Sequence, residues 1–149
     1  MQSKVQYQDM MTLTLEGITL NLALGLGPLL DDGRVAFKQE TWINQEKADG
    51  VYAVICDDVP VYIGSYQSGL VKRWLYTRKG DLYHFKKSLV VSGLIAGQNI
   101  RVYSKSVASI KQELGCADNV WVNASGIEAR LIQKLNPPWN SLGKKKQPL

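Results

Sequence analysis

The sequence predicts a single domain of the α/β (α+β) class, in which β-hairpins are followed by alternating helices and strands. Its 149 residues have the length of one domain, and its 45% hydrophobic and 21% charged residues are typical of a globular protein. Residues 11–24 and 50–64 have the alternating pattern of hairpins. Residues 65–69 are predicted to form a loop. Helical spacing is found at residues 70–78, with Trp74 on the apolar face, and at residues 87–95 and 129–135, and a strand is predicted at residues 100–103.

The charge balance favours a polyanionic partner. Lysine and arginine number 18 against 13 acidic residues, which gives a net charge of +5 and a pI near 9.2. Cys56 and Cys116 lack the spacing of a metal site, and we interpret them as two unpaired thiols. Because no apolar run approaches membrane-spanning length and no signal peptide is evident, we expect a cytoplasmic protein without a membrane partner.

Residues 1–49 are predicted to form an N-terminal β-rich arm. Its hairpin is interrupted at Glu16-Gly17, the glycine-rich segment Gly25 to Gly33 contains turn signals, and residues 34–43 can supply a further short strand. No pattern in this arm indicates chemistry. We expect it to extend the sheet or to carry an oligomer contact.

The hairpin at residues 50–64 carries one tyrosine on each strand. The turn is predicted at Asp57-Asp58, and Pro60 begins the second strand. Since side chains alternate between the two faces of a strand, Tyr52 and Tyr62 can meet across the hairpin. Tyrosines are also ordinary strand residues, so this pattern alone leaves their role open.

A basic segment interleaved with aromatic residues follows the hairpin. Arg73 falls at the edge of the apolar face of the helix at 70–78, where many arginines are only solvated. Basic residues beside aromatic ones suit contact with nucleic-acid phosphates and bases. The predicted DNA-binding residues here are Arg78, Lys79, Lys86 and Lys87. We interpret His84 as a surface residue of a loop or helix, with a functional role as the alternative.

Glu128 admits two interpretations. With Ser125 it matches a capping box, in which its side chain would fold back onto the helix N-terminus. On the helical wheel it instead lies within the apolar arc of Ile127 and Leu131. A carboxylate aimed inward is costly unless it is paired or bound to a cation, so this pattern also predicts a metal ligand.

The end of the chain is basic. Pro137-Pro138 ends the last long helix, and Asn140 follows it. A lysine run in the tail at residues 144–149 is typical of a solvated terminus, and beside a nucleic-acid site it can hold a phosphate backbone. The residues assigned to that contact are Lys144, Lys145 and Lys146.

Taken together, these motifs resemble the GIY-YIG nucleases. The tripeptides Gly50-Val51-Tyr52 and Tyr62-Ile63-Gly64 are followed in order by Arg73, Glu128 and Asn140. The resemblance implies a nuclease core at residues 50–143, with a small central antiparallel sheet flanked by helices. Residues 1–49 would then be an N-terminal β-hairpin arm and residues 144–149 a basic tail.

The resemblance also implies a metal-dependent endonuclease that hydrolyses phosphodiester bonds in double-stranded DNA. Glu128 would hold Mg²⁺, or Mn²⁺, which commonly takes only one or two protein carboxylates. Tyr52 would orient or deprotonate the attacking water, and Arg73 would bind the developing phosphoryl charge. Tyr62 would position the water or the phosphate, and Asn140 would brace the site. A double-strand cut needs two sites, so a homo-oligomer, dimer or tetramer, is expected.

Two other functions remain open at this point. A restriction endonuclease of the same family would share the site and cut at a defined short sequence. A non-catalytic DNA-binding protein would share only the fold, and the complete set of site residues argues against it.

Overall fold

The computed structural model of the chain describes residues 7–39, 48–75, 84 and 86–141. This part of the chain forms one sheet of seven strands with five flanking helices, which confirms the predicted α+β class. The elements are β1 (Tyr7–Asp9), β2 (Thr12–Leu15), β3 (Ile18–Leu29), β4 (Val35–Gln39), β5 (Gly50–Cys56), β6 (Val59–Tyr66), α1 (Leu70–Leu75), α2 (Lys87–Ile95), β7 (Ile100–Ser106), α3 (Val107–Glu113), α4 (Ala124–Leu135) and α5 (Pro138–Ser141).

All strand pairs in the sheet are antiparallel. The order is β1-β2-β3-β7-β5-β6, and β4 pairs with the second half of β3. β7 enters between β3 and β5, so a strand from late in the chain joins the N-terminal strands to the central hairpin. The sheet therefore unites distant parts of the sequence.

The core lies on both faces of this sheet. All seven residues of β5 are buried, as expected for a strand covered on both sides. Tyr52 and Val54 belong to one apolar cluster, together with Trp74 and Trp139. The residues that alternate with them, such as Ala53, belong to a second cluster on the other face, which includes α3 and α4. The predicted alternation along this strand is confirmed.

The central hairpin forms as predicted, with a longer second strand. Asp57 and Asp58 make the turn with positive φ angles of 46° and 68°, which short polar side chains tolerate. β6 runs from Val59 to Tyr66, so Pro60 lies inside it, beside a register shift between Val54 and Ile55 of the partner strand. A bulge accommodates a proline because no regular ladder bond is lost there.

Two predicted loops are partly strand. Gly25, expected to open a turn, lies inside β3, which continues to Leu29, and the turn begins only at Leu30. Pairing with β4 on one side and β7 on the other overrides the local turn preference of this segment. Likewise Ser65 and Tyr66 belong to β6 because they pair with β5.

Helix α4 begins two residues earlier than the capping-box interpretation requires. Its N-cap is Asn123, whose side chain accepts a hydrogen bond from the Gly126 backbone N–H. Glu128 is thus the fifth helical residue, too far along to cap the first turn. The helix ends at Asn136 in a left-handed conformation, and α5 follows directly.

The N-terminal arm is part of the sheet through its two longest strands. β3 pairs with β2, β4 and β7, so this arm does extend the sheet. The division of the chain at residues 49 and 143 stays a prediction. Within the described ranges, no helix is both long and apolar enough to cross a membrane.

Candidate active site

Two tyrosine rings lie over two glycines in the central hairpin. Tyr52 pairs with Gly64 and Tyr66 pairs with Gly50 across the two strands. A Cβ atom at Gly64 would lie 2.3 Å from Cζ of Tyr52, and one at Gly50 would lie 2.2 Å from the hydroxyl oxygen of Tyr66. Because any side chain would collide with these rings, the glycines fix where the phenol groups sit.

Tyr52 is the centre of an aromatic cluster. Its ring centroid lies 6.0 Å from that of Tyr62 and 5.6 Å from that of Trp74. The His84 imidazole stacks on Trp74 with centroids 4.0 Å apart and planes 11° apart. The expectation that Tyr52 and Tyr62 meet across the hairpin is confirmed. The interpretation of His84 as a surface residue is wrong, because stacking on Trp74 buries it to 8% exposure.

His84 connects the backbone to the phenol of Tyr52. Its Nδ1 accepts the backbone N–H of Lys86 at 3.1 Å, and its Nε2 lies 2.6 Å from the hydroxyl oxygen of Tyr52. Burial, together with the charges of Arg73 and Lys86, lowers the pKa of His84 to about 3. The ring is therefore neutral near pH 7, with its proton on Nε2. His84 thus donates a hydrogen bond to Tyr52.

The phenols stay protonated at neutral pH. Burial raises the pKa of Tyr52 well above its ordinary value, the neighbouring Tyr62 raises it further, and a hydrogen bond with Arg73 opposes both effects. Burial also raises the pKa of Tyr62. Since Arg73 interacts with both phenols although its residue is exposed, α1 brings its guanidinium to the edge of the cluster.

Glu128 reaches the same site from α4. Its Oε2 accepts a hydrogen bond from the Ser65 hydroxyl at 2.6 Å, which joins α4 to the end of β6. Its negative charge acts on Tyr52, Tyr62 and Arg73, as their pKa shifts record. The carboxylate is half-buried. Its placement agrees with the predicted inward orientation.

A cavity of about 300 Å³ lies next to Ser65, whose hydroxyl binds this carboxylate. Ser65, which donates to Glu128, and Arg73 both line it, along with Gln67 and Ser68. No group of three or more histidine, cysteine, aspartate or glutamate side chains suited to a metal occurs among the described residues. One carboxylate, joined through Ser65 to the wall of an open cavity, fits Mg²⁺, which keeps most of its waters. The donor set is therefore compatible with a single hard divalent ion on Glu128.

Asn140 pairs with the backbone of β6. Its side-chain oxygen accepts the Ile63 N–H at 2.9 Å, and its side-chain nitrogen donates to the Ile63 carbonyl at 2.8 Å. β6 is the last strand at its edge of the sheet, so the amide occupies positions that a further strand would take. Asn140 thereby holds the residue between Tyr62 and Gly64, without itself facing the reacting groups.

The predicted DNA-binding residues are only partly described. The Lys86 ammonium lies 5.7 Å from the centre of the Tyr62 ring, and Lys87 is the first residue of α2. Lys86 therefore lies beside the aromatic cluster. The remaining residues assigned to DNA lie outside the described residues: Arg78, Lys79, Lys144, Lys145 and Lys146.

The sequence analysis gave no site role to Ser65 or Trp74, and gave His84 a functional role only as the alternative. Ser65 was assigned to a loop, and its contact with Glu128 spans 63 positions of sequence. Trp74 was identified only as a core residue of its helix, and His84 has no periodic pattern around it. For the site as a whole, the sequence offered one further signal, the alternation along β6. It places Gly64 and Tyr66 on the same face as Tyr62.

The fold is similar to that of a phage protein. A solved structure of a variant of bacteriophage T4 EndoII aligns with a TM-score of 0.50 and 18% sequence identity, covering 80% of this chain and 91% of that chain. No protein-family model matches the sequence, and no curated protein matches it. The similarity is therefore one of fold: a mixed α+β architecture with a curled antiparallel sheet, flanking helices and an N-terminal hairpin.

Proposed function

We propose that this protein is a metal-dependent endonuclease that hydrolyses phosphodiester bonds in double-stranded DNA, in the manner of phage endonuclease II. The observation that supports this most directly is that Tyr52, Arg73 and Glu128, from three different elements, interact with one another beside a cavity that Arg73 lines. The fold shared with EndoII, an endonuclease by name, supports a nuclease. The net charge of +5 suits a DNA substrate.

In this proposal Glu128 holds one Mg²⁺ or Mn²⁺ ion, which supplies charge stabilisation and polarises bound oxygen ligands. Ser65 keeps the carboxylate oriented by donating to one of its oxygens. A second-layer hydrogen bond of this kind fixes the direction in which the remaining lone pairs point.

Tyr52 orients the attacking water in this scheme. Its oxygen accepts from His84 and forms a hydrogen bond with Arg73, and its hydroxyl also forms a hydrogen bond with Tyr62, so the phenol is held in place at three points. Because burial raises its pKa so strongly, orientation is favoured over deprotonation as its role near pH 7.

Arg73 stabilises the charge that develops on the phosphoryl group. It lines the cavity and is exposed, so a phosphate can reach its guanidinium. Tyr62, beside Lys86, positions the phosphate or the water. Asn140 is a positioning residue that holds β6, the strand that carries Tyr62, by binding the backbone of Ile63. In this proposal Lys86 and Lys87 make further phosphate contacts outside the cavity. Arg78, Lys79 and the lysines at 144–146 are assigned the same role.

Incubation of the pure protein with plasmid DNA and Mg²⁺ tests the proposal. We expect cleavage that leaves 5′-phosphate and 3′-hydroxyl ends and that disappears with chelator. Glu128→Gln, which keeps an acceptor for Ser65, should abolish cleavage and leave duplex binding intact or stronger. Gln133→Ala on the exposed side of α4 is the matched control. An intact plasmid at high enzyme and Mg²⁺ would contradict the proposal. Sequencing the ends separates a defined restriction site from loose preference.

We also propose a homo-oligomer, in which a second copy covers an exposed apolar groove. This groove, about 400 Å³, lies between the β2–β3 turn and the start of α4, with Leu114, Trp121 and Val122 in its lining. Trp121 is 86% exposed and the adjacent Val120 80%. Glu16 and Arg130 also line it, and neither forms an ion pair with a described residue. In a dimer with a two-fold axis, Glu16 of one copy would face Arg130 of the other copy.

Charge exchange tests this assembly by light scattering. We expect wild-type protein to be a dimer or larger and Glu16→Arg to be monomeric, since it places two cations together. The double variant Glu16→Arg/Arg130→Glu should restore the oligomer. A wild-type monomer with and without DNA, or a Glu16→Arg variant that assembles normally, would refute the proposal.

A further inference from the structure

A pair of cations flanks a glycine on the sheet, away from the candidate active site. Gly25 of β3 pairs with Lys38 of β4 on one side and with Arg101 of β7 on the other. Directly paired residues of antiparallel strands point to the same face. With strands about 4.8 Å apart, the two cationic residues start about 10 Å from each other, with the glycine between them. The three residues define the Gly25 cleft.

The Gly25 cleft is on the face opposite the tyrosines. Arg101 also pairs with Ile55, which belongs to the apolar cluster shared with α3 and α4. Tyr52 belongs to the other cluster. A ligand in the cleft therefore cannot be the phosphate that Arg73 and Tyr52 engage.

Neither backbone conformation nor packing requires a glycine at position 25. Its φ is not in the left-handed region, and the pairs on either side of it, at Leu24 and Leu26, are regular on both neighbouring strands. A Cβ atom at Gly25 would meet nothing within 4 Å, in contrast to the collisions at Gly50 and Gly64. Glycine inside a strand weakens it and often marks a place where a ligand approaches closely. The space above Gly25 is open.

The two cations are not neutralised within the described part of the chain. Arg34 pairs with Asp32, and Lys105 with Glu113, but neither Lys38 nor Arg101 forms an ion pair or side-chain hydrogen bond there. Lys38 is exposed and Arg101 half-buried. The Asp57 carboxylate accepts a hydrogen bond from the Asn99 backbone N–H and forms no ion pair with either cation. The cleft thus presents two uncompensated positive charges.

We propose that the Gly25 cleft binds a phosphate of the DNA backbone, as a contact separate from the active site. The inference rests on the proposed nuclease function and assigns a second stretch of duplex to the opposite face of the sheet. A guanidinium binds phosphate oxygens bidentately, a lysine adds a mobile charge, and the glycine lets the phosphate approach the strand. The open cleft suits an extended polyanion.

The salt dependence of duplex binding, measured in chelator so that no cleavage occurs, tests the cleft. Each phosphate contact contributes about −0.9 to the slope of log affinity against log salt, so Lys38→Gln/Arg101→Gln should make the slope less negative by about 1.8. Lys111→Gln/Lys134→Gln is the matched control, with the same charge change and again one half-buried and one exposed lysine. Equal effects of the two pairs would overturn the proposal.

Filling the cleft provides a charge-neutral test. Gly25→Val keeps both cations and suits a strand, so we expect normal melting and several-fold weaker duplex binding. If this variant binds the duplex with wild-type affinity, the proposal is overturned. If the variant fails to fold, the salt dependence of Lys38→Gln/Arg101→Gln still tests the proposal. Loss of binding to polyglutamate in the cation variant, with duplex binding unchanged, would indicate an acidic protein partner and refute DNA. If the wild-type protein neither binds nor cuts DNA, the nuclease proposal is refuted. If it cuts normally and Lys38→Gln/Arg101→Gln has the same salt slope as Lys111→Gln/Lys134→Gln, only the proposal for the cleft is refuted.

Discussion

At the scale of single residues, two glycines define the candidate site because they admit the rings of two tyrosines. Gly64 is the clearest case: its missing side chain is the space that the phenol of Tyr52 occupies. That phenol is held at a second point by His84. The position of the Tyr52 hydroxyl is thus set by the lack of a side chain at Gly64 and by the buried His84 ring.

Gly64→Ala should displace the Tyr52 ring. The new Cβ would lie 2.3 Å from its Cζ, so we expect a loss of about 1–3 kcal/mol in the free energy of unfolding and a severe loss of plasmid cleavage. Gly25→Ala, in a strand with open space, is the control for stability and should be neutral or slightly stabilising. Urea denaturation of both variants measures this. Equal stabilities would show that the site tolerates a moved ring.

His84 should make stability depend on pH. Its pKa is about 3 in the folded protein and near the ordinary 6.5 in the unfolded chain, so the unfolded chain binds one more proton between these values. Stability therefore falls as pH drops below 6.5, with a slope approaching about 1.4 kcal/mol per pH unit. Urea denaturation from pH 6.5 to 5, above most carboxylate titration, measures it. His84→Gln removes the chain's only histidine and should flatten the slope; an unchanged slope would contradict the burial of a neutral ring.

At the scale of elements, the start of α4 sets the direction of Glu128. Asn123 caps the helix, so Glu128 falls in its second turn beside Ser65 rather than at its first turn. Asn123→Ala should lower the free energy of unfolding by about 1 kcal/mol, whereas Ser125→Ala should change it by less than about 0.5 kcal/mol. Thermal or urea denaturation distinguishes them, and the reverse order would restore the capping box.

The edge of β6 depends on α5. Asn140 satisfies both backbone groups of Ile63, so Asn140→Ala should lower the free energy of unfolding by about 1–3 kcal/mol. Amide hydrogen exchange gives a local readout: the Ile63 N–H should exchange faster in Asn140→Ala and at the wild-type rate in Gln133→Ala. Unchanged protection at Ile63 would mean that α5 does not hold this edge.

At the scale of the whole molecule, one sheet carries the tyrosines of the candidate active site on one face and the Gly25 cleft on the other. β3 from the N-terminal arm and β5 from the central hairpin are joined by β7, so neither face belongs to a separate unit. The sequence as a whole carries an excess of five positive charges.

Duplex binding should weaken steeply with salt. Each lysine that contacts a phosphate contributes about −0.9 to the slope of log affinity against log salt, and Lys86→Gln should remove about one such increment. Fluorescence anisotropy with a short duplex in chelator measures it, with Lys134→Gln on the exposed side of α4 as control. A wild-type slope near zero would exclude phosphate contacts as the basis of binding.

The sequence by itself determined the fold class, the central hairpin and the candidate site residues Tyr52, Tyr62, Arg73, Glu128 and Asn140. Alternation at residues 50–64 is a local property, and so is the helical spacing around Glu128. These patterns predicted the meeting of Tyr52 with Tyr62 and the inward carboxylate, because each depends on residues a few positions apart.

Only the tertiary structure decided how these parts are held together. The insertion of β7 between β3 and β5, the stacking of His84 on Trp74, the Asn140 bonds to Ile63 and the open space above Gly25 join residues tens of positions apart. Strand pairing also overrode the turn signals after Gly25. Such contacts follow from packing of the whole chain, whose free energy no local pattern contains.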